Sequence, residues 1–206
     1  MKVVFTVITN NYDTLKEPAV ITEGWRYVCF ADRFYESDVW ECYITKKSQR
    51  FIKIRGYREM LGRSTSGTCI YIDGSFEIIG DLNKFVKEVP TWFSMRSHPF
   101  RDCTFKEAQA VINLKGMHPG LVNQQMERYK DMPECWGLVE TGVIVRDIAN
   151  KDVRKICLKW WSEFKRGVPR DQITVMPAFY RLGMRPHFIP GKVVRKYFKN
   201  HDHIKR

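Results

Sequence analysis

The sequence predicts an α/β fold with a mostly parallel central sheet, formed by a single domain of 206 residues. Three observations predict it. Short apolar runs alternate with segments of helical spacing, which is the pattern of strands joined by helices. Several of these runs end in Asp, Asn or Gly, as strand ends do. No repeat, low-complexity segment or long linker divides the chain.

The strands are predicted from apolar runs rich in β-branched and aromatic residues. The first run stops at Asn10 and Asn11, and the central run CIYI stops at Asp73. Gly142 leaves open whether the last run is one strand or a bent pair. The predicted strands cover residues 2–9, 25–31, 40–45, 69–72, 76–79 and 138–146.

The helices are predicted from apolar residues at helical spacing. Asp81 is expected to begin one of them, because its side chain can accept from free amides of the first turn. Residues 64–68 are predicted to form a small-residue loop, and the chain after Tyr180 is expected to be basic and irregular. The predicted helices cover residues 50–61, 82–89, 105–114, 121–129, 151–166 and 170–180.

The charge is strongly positive and is concentrated near one end of the chain. The net charge is +12, and from Lys151 onward 15 Lys and Arg stand against 4 Asp and Glu. Such an end favours a polyanionic partner: nucleic acid, an acidic membrane surface or a phosphorylated ligand. The alternative is a solvated basic face that serves only solubility.

Cysteine usage and the N-terminus indicate a reduced, cytoplasmic protein. The six cysteines form no CxxC pair, so a zinc knuckle is disfavoured and buried free thiols are expected. The first apolar run is too short to span a membrane and lacks a signal-peptide pattern. No P-loop, GxGxxG or GxSxG motif is present, which disfavours ATPase, dinucleotide-binding and serine-hydrolase functions.

Two segments carry candidate binding groups. In CIYIDGS, a strand delivers the Asp73 carboxylate to its end, where it can hold Mg²⁺ or Mn²⁺ against a substrate phosphate. An ordinary Asp-Gly turn is the alternative. RSHPFRDC brings His98 and Arg101 together ahead of Glu107, a set suited to phosphate, or alternatively a surface turn.

Two further segments carry candidate catalytic carboxylates. Glu140 lies inside an apolar run, where a carboxylate needs a partner or a function, and a salt bridge with Arg146 is the alternative. Asp171 follows the Pro169-Arg170 pair, where capping a helix is the alternative to catalysis.

In order along the chain, these segments resemble a family of proposed glycosyltransferases with members in bacteria, phages and the plant Golgi. The resemblance runs through most of the chain as far as Gln172. It rests on TNNYDTLKEP (9–18), WRYVCFAD (25–32), RFIK (50–53), IYIDGSF (70–76), SHPFRDCTFKEA (97–108), GLVETGVIVR (137–146) and WWSEFKRGVPRDQ (160–172).

The resemblance implies a GT-A fold, an α/β/α sandwich that binds a nucleotide sugar, such as a UDP-sugar, at its strand ends. Enzymes of this fold usually hold a divalent metal with a DxD motif, and here the matching residues are Asp73, Gly74 and Ser75, without the second acid. Asp73 is therefore predicted to bind the metal alone, with water and phosphate, or to bind the donor sugar hydroxyls, with Arg50, Lys53 and Arg101 neutralising the diphosphate in part or in place of metal. The donor-binding residues that the resemblance implies are Thr9, Asn10, Asn11, Asp13, Asp32, Arg50, Lys53, Asp73, Gly74, Ser75, His98 and Arg101.

The predicted activity is transfer of a hexosyl or pentosyl group to a hydroxyl acceptor. Asp73, Glu140 and Asp171 are the predicted catalytic residues, and the acceptor is expected to contact Glu140, Trp161, Arg170, Asp171 and Gln172. The basic C-terminal quarter, which begins at Lys151 and includes the segment 181–206, favours a hydroxymethylated base in phage DNA, flipped out and stacked on Trp161, Phe179 or Tyr180. The phosphate contacts predicted there include Lys155, Lys159 and Lys196. The alternatives are a cell-surface polysaccharide or lipid-linked glycan as acceptor, or a non-catalytic nucleic-acid-binding protein.

Overall fold

The computed structural model describes residues 2–62 and 67–203, with the side chains of Met60 and Cys135 excepted. Most of the predicted loop 64–68, and residues 204–206 of the predicted basic segment, lie outside the described residues. The strands described are β1 (Lys2–Ile8), β2 (Trp25–Ala31), β3 (Glu41–Ile44), β4 (Thr68–Ile72), β5 (Phe76–Ile78), β6 (Phe93–Ser97), β7 (Val139–Asp147), β8 (His187–Ile189) and β9 (Phe198–Asn200).

The helices lie between these strands. They are α1 (Gln49–Phe51), a π-helical turn (Ile52–Gly56), α2 (Tyr57–Met60), α3 (Leu82–Glu88), α4 (Thr104–Lys115), α5 (Pro119–Glu127), α6 (Lys151–Lys165), α7 (Gln172–Tyr180) and α8 (Gly191–Tyr197). A short 3₁₀ turn (Glu134–Trp136) precedes β7. Asp81 begins α3 as predicted, because its carboxylate accepts from the Lys84 amide at 2.7 Å.

Seven strands form the main sheet, in the order β3-β2-β1-β4-β7-β6-β8. All pairs are parallel except the two that β7 makes with β4 and β6, so β7 alone runs in the opposite direction. Strands β1 and β2 are buried along nearly their whole length, as expected of apolar strands covered on both faces. The predicted α/β class with a mostly parallel sheet is confirmed.

Helices cover both faces of this sheet. On one face, Trp160 of α6 and Phe179 of α7 are fully buried against the strands together with Ile52 of the π-helical turn. On the other face, Phe85 of α3 and Val194 of α8 are buried. The result is a three-layer sandwich that presents the carboxyl ends of β1 and β4 along one edge.

The helix predicted over residues 50–61 contains a π-helical turn between α1 and α2. A Cβ atom on Gly56 would lie 2.4 Å from the Phe51 ring, so glycine permits this close packing. π-Helical turns are rare and frequently occur at functional sites. Here the wider turn carries Lys53 into the protein interior.

The described chain after Tyr180 is not irregular, contrary to the prediction. Strand β8 extends the edge of the main sheet beside β6, and β9 pairs with β5 in a separate two-stranded sheet. The run predicted over 138–146 is one strand, β7, rather than a bent pair. Within the described chain, no helix is long and apolar enough to cross a membrane. The five cysteines with described side chains are free thiols.

Candidate active site

The candidate site lies where β1 and β4 end and β7 begins. Asp73 follows β4 directly, and its backbone N–H donates to the Gly142 carbonyl of β7 at 2.8 Å. A Cβ atom on Gly142 would lie 3.4 Å from Asp73 Oδ2 and closer still to the Phe76 ring. Glycine at position 142 therefore lets β7 pack closely against Asp73, and this places Glu140 and Thr141 next to that carboxylate.

A buried lysine organises the centre of the site. The Lys53 side chain is 1% exposed, and its Nζ lies 2.8 Å from Asp171 Oδ2 and 3.3 Å from Asp73 Oδ1. It also donates to Thr141 Oγ1 at 3.0 Å. The Tyr71 hydroxyl donates to Asp73 Oδ1 as well. The Asp73 carboxylate is thus held in one orientation while 26% of its side chain stays exposed.

Asp171 is part of this buried network. Its side chain is 5% exposed, lies 3.4 Å from Arg50 Nε and accepts from the Thr141 hydroxyl at 3.0 Å. Burial alone would raise the pKa of Asp171, but Lys53 and Arg50 together lower it below its usual value. The predicted catalytic and acceptor-binding roles of Asp171 stay predictions, and its enclosed ion pairs with Lys53 and Arg50 favour a positioning role instead. Asp171 makes no side-chain capping bond to α7.

Glu140 is half-buried and faces the same site. Its Oε2 lies 2.8 Å from Arg96 Nη1 but receives no aligned hydrogen bond from any described residue. Burial raises the pKa of Glu140, and the Arg96 guanidinium opposes the shift. Arg146, the partner considered from the sequence, is instead fully buried and donates to the Lys53 carbonyl at 2.9 Å. Oε2 is therefore buried against Arg96, while 27% of the Glu140 side chain stays exposed to the site.

The loop after β1 adopts an unusual backbone. Asn10 and Asn11 have φ angles of 59° and 51°, in the left-handed region that few non-glycine residues occupy. The exposed Asp32, at the end of β2, fixes this conformation by accepting from the Asn10 amide at 2.6 Å. Strained backbone of this kind clusters at ligand sites. Thr9, which precedes the loop, is buried.

The C-terminal segment runs alongside this loop. The His201 amide donates to the Ser75 carbonyl at 2.9 Å, and His203 Nδ1 lies 2.9 Å from Asp13 Oδ1. Burial raises the pKa of Asp13, and the contact with His203 opposes that shift. A Cβ atom on Gly74 would lie 3.0 Å from Asp13 Cβ, so the glycine brings the two loops together. Asp13 and Ser75 are buried, so neither offers a freely exposed side chain for the donor.

His98 and Arg101 form a neighbouring polar cluster. His98 Nδ1 accepts from the Arg101 amide at 2.9 Å, while the Arg101 guanidinium donates to the buried Glu107. Arg170 lies 4.0 Å from the same carboxylate. Burial, with Arg101 and then Arg96, lowers the pKa of His98 to about 4. His98 is therefore neutral near pH 7, and Arg101 and Arg170 both pair with the buried Glu107.

The aromatic residues predicted to stack on a flipped base are engaged in packing. Trp161 packs edge-on against Phe51 at 5.3 Å and stacks on Phe164 at 5.4 Å. Phe179 is fully buried, so its predicted role is wrong. The Tyr180 hydroxyl donates to the Asp131 carbonyl at 2.7 Å. Gln172, at the start of α7, is half-buried.

The described side chains do not form a metal site by themselves. Among residues 2–62 and 67–203, no three His, Cys, Asp or Glu side chains are arranged to hold an ion. Asp73 Oδ1 already contacts Lys53 and Tyr71, and position 75 carries a buried hydroxyl in place of a second carboxylate. The donor set therefore does not fit a metal held by paired carboxylates.

The α/β/α sandwich with carboxylates at its strand ends is that of a GT-A-like glycosyltransferase. Residues 64–203 match the family model "TOD1/MUCI70, glycosyltransferase-like domain". The chain belongs to this family, because the match covers more than half of its length. No curated protein matches the chain.

A solved structure supports the same fold. The chain is similar to the apo structure of the bifunctional glycosyltransferase WbbM, with a TM-score of 0.53 and 9% identity. The similarity covers 91% of this chain but only 38% of WbbM, so the chain spans about two fifths of that enzyme's length.

Sequence reasoning missed four residues of the site: Tyr71, Arg96, Thr141 and His203. Tyr71 and Thr141 lie in runs whose apolar neighbours indicate only core strands. His203 is 190 positions from Asp13 in sequence. Among these four, Arg96 alone could have been predicted from the sequence, because it begins the cation-containing segment RSHPFRDC.

Proposed function

We propose that this chain transfers a sugar from a nucleotide-sugar donor to an acceptor hydroxyl at the carboxyl edge of the sheet. One observation carries the proposal: Lys53 and Tyr71 hold the partly exposed Asp73 carboxylate at the end of β4, beside Glu140. In open α/β sheets, ligands bind beyond the carboxyl ends of the strands. Residues 64–203, which match the glycosyltransferase-like family, include both carboxylates.

The donor diphosphate is proposed to bind beside Arg50. The Arg50 side chain is 31% exposed, and its charge lies close enough to Tyr12, Asp73 and Asp171 to interact with them. A guanidinium group can bind phosphate oxygens in a bidentate manner. Lys53 is enclosed by protein oxygens, so we assign it to positioning Asp73 rather than to direct contact with phosphate. Asn10, Asn11 and Asp32 are proposed to hold the base and ribose.

Glu140 is proposed to activate the acceptor. The Glu140 carboxylate would accept the proton of the acceptor hydroxyl as the hydroxyl oxygen forms a bond to the sugar's anomeric carbon. The bond between that carbon and the diphosphate breaks, and the electron pair leaves with the nucleoside diphosphate. Arg50 stabilises the charge that develops on this leaving group. Asp73 is proposed to orient the donor sugar through its hydroxyl groups.

The metal predicted at Asp73 stays a prediction, and no step above depends on it. A divalent cation shared with the diphosphate would need ligands beyond Asp73, from phosphate and water. Nucleotide release measured with added Mn²⁺ or Mg²⁺ and with EDTA tests this directly. Release that survives EDTA supports charge neutralisation by Arg50, and release that requires the cation supports the predicted metal.

The positions of the basic residues bear on the class of acceptor. The basic residues predicted to meet DNA divide between opposite faces of the sheet, since α6 packs on one face and α8 on the other. Several of them are ion-paired within the protein: Lys155 with Asp152, Lys159 with Glu163 and Lys196 with Glu88. We therefore propose testing two acceptors, a glycan hydroxyl and a hydroxymethylated DNA base.

The experiment is nucleotide release from a panel of nucleotide sugars, with hydroxymethylcytosine DNA, an oligosaccharide mixture or no acceptor. Release stimulated by one acceptor supports the transferase and identifies the acceptor class. Release without stimulation supports donor hydrolysis and leaves the acceptor outside the panel. If no donor releases nucleotide while DNA binds in a salt-dependent manner, the non-catalytic alternative replaces this proposal.

A further inference from the structure

A second cluster of arginines lies away from the candidate active site. A cavity of about 390 Å³ opens between the π-helical turn with α2 on one side and α6 on the other. It is lined by Arg55, Arg58 and Arg154, by the apolar or weakly polar side chains of Tyr57, Cys157 and Leu158, and by one carboxylate, Glu59. Small-molecule sites typically fall in this size range.

The arginines of this cavity differ from those of the active site in having no internal partners. Within residues 2–62 and 67–203, Arg55, Arg58 and Arg154 form neither an ion pair nor a hydrogen bond through their guanidinium groups. Glu59 is exposed and offsets at most one of the three positive charges. The cavity therefore has a net positive charge and free donors that suit phosphate oxygens.

A fourth guanidinium group lies behind the cavity wall. Arg146 is fully buried, stacks on the Tyr57 ring at 4.1 Å and lies 3.6 Å from Cys157 Sγ. No carboxylate in the described chain pairs with it, and its buried Nε has no hydrogen-bond partner. A buried charge without a counter-ion is costly, and an anion in the adjoining cavity would offset part of that cost.

We propose that this cavity is a second ligand site, which takes a small molecule bearing a phosphate or diphosphate group. A cavity flanked by Tyr57 and Leu158 suits a small phosphorylated molecule better than it suits an extended polyanion. The site is connected to the candidate active site, because Arg146 contacts Tyr57 and donates to the Lys53 carbonyl at 2.9 Å. A bound anion would therefore stabilise the π-helical turn that positions Lys53.

Calorimetric titration with inorganic pyrophosphate tests the site without requiring transferase activity. The test variant is Arg58→Glu/Arg154→Glu, because both side chains line the cavity and reach solvent. Lys192→Glu is the matched control, a charge reversal at an exposed position of α8 on the opposite face. Arg50→Ala separates this site from the proposed donor site, which also takes a diphosphate.

The expected result is binding at two sites in the unaltered protein, with one weakened at least about tenfold in the double variant. Arg50→Ala should weaken the other site, and Lys192→Glu should change neither. Equal pyrophosphate binding by the unaltered protein and the double variant would overturn the proposal. So would a double variant that loses only oligonucleotide binding, since that marks a nucleic-acid surface.

Two further measurements keep the result interpretable. Arg154→Glu alone changes an exposed side chain, so its unfolding temperature without ligand should match that of the unaltered protein. It should still bind pyrophosphate more weakly at one site. If the proposed function fails, seen as no nucleotide release from any donor, the weakening of binding at this cavity should persist, and only the Arg50-dependent site would be missing from the titrations.

Discussion

The two arginine-containing regions of this protein are built in opposite ways. At the sheet edge, cations and carboxylates alternate, so that Lys53, Arg50 and Arg96 each face Asp73, Asp171 or Glu140. In the cavity beside α6, three guanidinium groups face one exposed carboxylate. The sheet edge largely neutralises its own charge, whereas the cavity does not.

Charged side chains therefore serve two purposes in this protein, according to whether they are paired. Charges that are paired inside the protein hold side chains in fixed positions, which is what a reaction centre requires. Charges left unpaired at a cavity attract a ligand from solution. Substitutions at the sheet edge should therefore affect folding and catalysis, while substitutions at the cavity should affect ligand binding alone.

The largest expected effect follows the loss of Lys53. Lys53→Met removes the closest charged partner of the buried Asp171 carboxylate, at 2.8 Å, and leaves Arg50 at 3.4 Å. Removing one partner of a buried ion pair destabilises a protein by about 3–5 kcal/mol, which chemical denaturation would measure. Lys130→Met, which removes one partner of the exposed pair with Glu127, is the control and should leave the unfolding free energy unchanged.

A double substitution sharpens this test. Lys53→Met/Asp171→Leu removes both buried charges and should recover most of the lost stability. It should not recover nucleotide release, because Asp73 still lacks the ammonium group that orients it. Equal activity in the double variant and the unaltered protein would remove Lys53 from the proposed site.

Glu140→Gln is expected to lower kcat by about a hundredfold, because an amide cannot accept the acceptor's proton. Burial raises the pKa of Glu140 above its usual value. Activity should therefore rise with pH through that raised pKa, as the carboxyl group ionises. A pH–rate profile should show this acidic limb in the unaltered protein and lack it in the variant. The same limb in both proteins would show that another group is the base.

The neutral His98 should make the unfolding free energy depend on pH. Its pKa is about 4 in the folded protein, against the ordinary 6.5, so the unfolded chain binds the proton first as pH falls. Stability is therefore complete above pH 6.5 and decreases toward pH 4, by about 1–3 kcal/mol. His98→Gln should remove that part of the dependence, whereas His118→Gln, at an exposed position, should leave the unfolding curves unchanged.

The smallest of these effects is expected from Arg50. Arg50→Ala removes one contact to the donor diphosphate and should raise the KM for the nucleotide sugar about tenfold. Asp171 keeps its ion pair with Lys53, so stability should change less than in Lys53→Met. Initial-rate kinetics over a range of donor concentrations would measure this, and an unchanged KM would exclude Arg50 from the donor site.

Local sequence patterns were sufficient for β1 to β5, for β7 and for the carboxylate at the end of β4, whereas β6 was not predicted. Runs such as KVVFTVI and TCIYI have no other stable environment than a buried sheet, and Asp73 follows the second directly. The wider turn at Ile52–Gly56 could not be predicted, because it depends on the Phe51 ring packing against Gly56. The same applies to β8 and β9, whose short runs become strands only by pairing with β6 and β5.

The composition of the site was predictable, but not which residues are buried within it. Apolar runs indicate Asp73 and Glu140, a predicted helix start indicates Asp171, and the family resemblance indicates Lys53. Their partners come from distant parts of the chain, as in the pair of Lys53 with Asp171. Without these contacts, the enclosed Asp171 could not be distinguished from the more accessible Glu140.

The most direct measurement is nucleotide release by Asp73→Asn beside the unaltered protein, at saturating donor. Asp102→Asn is the matched control, because it removes an exposed carboxylate whose ion pair is with the exposed Lys106. We expect Asp73→Asn to lower kcat at least about a hundredfold with the fold intact, and Asp102→Asn to retain full activity. Release by Asp73→Asn at the unaltered rate would show that the reaction does not take place at the end of β4.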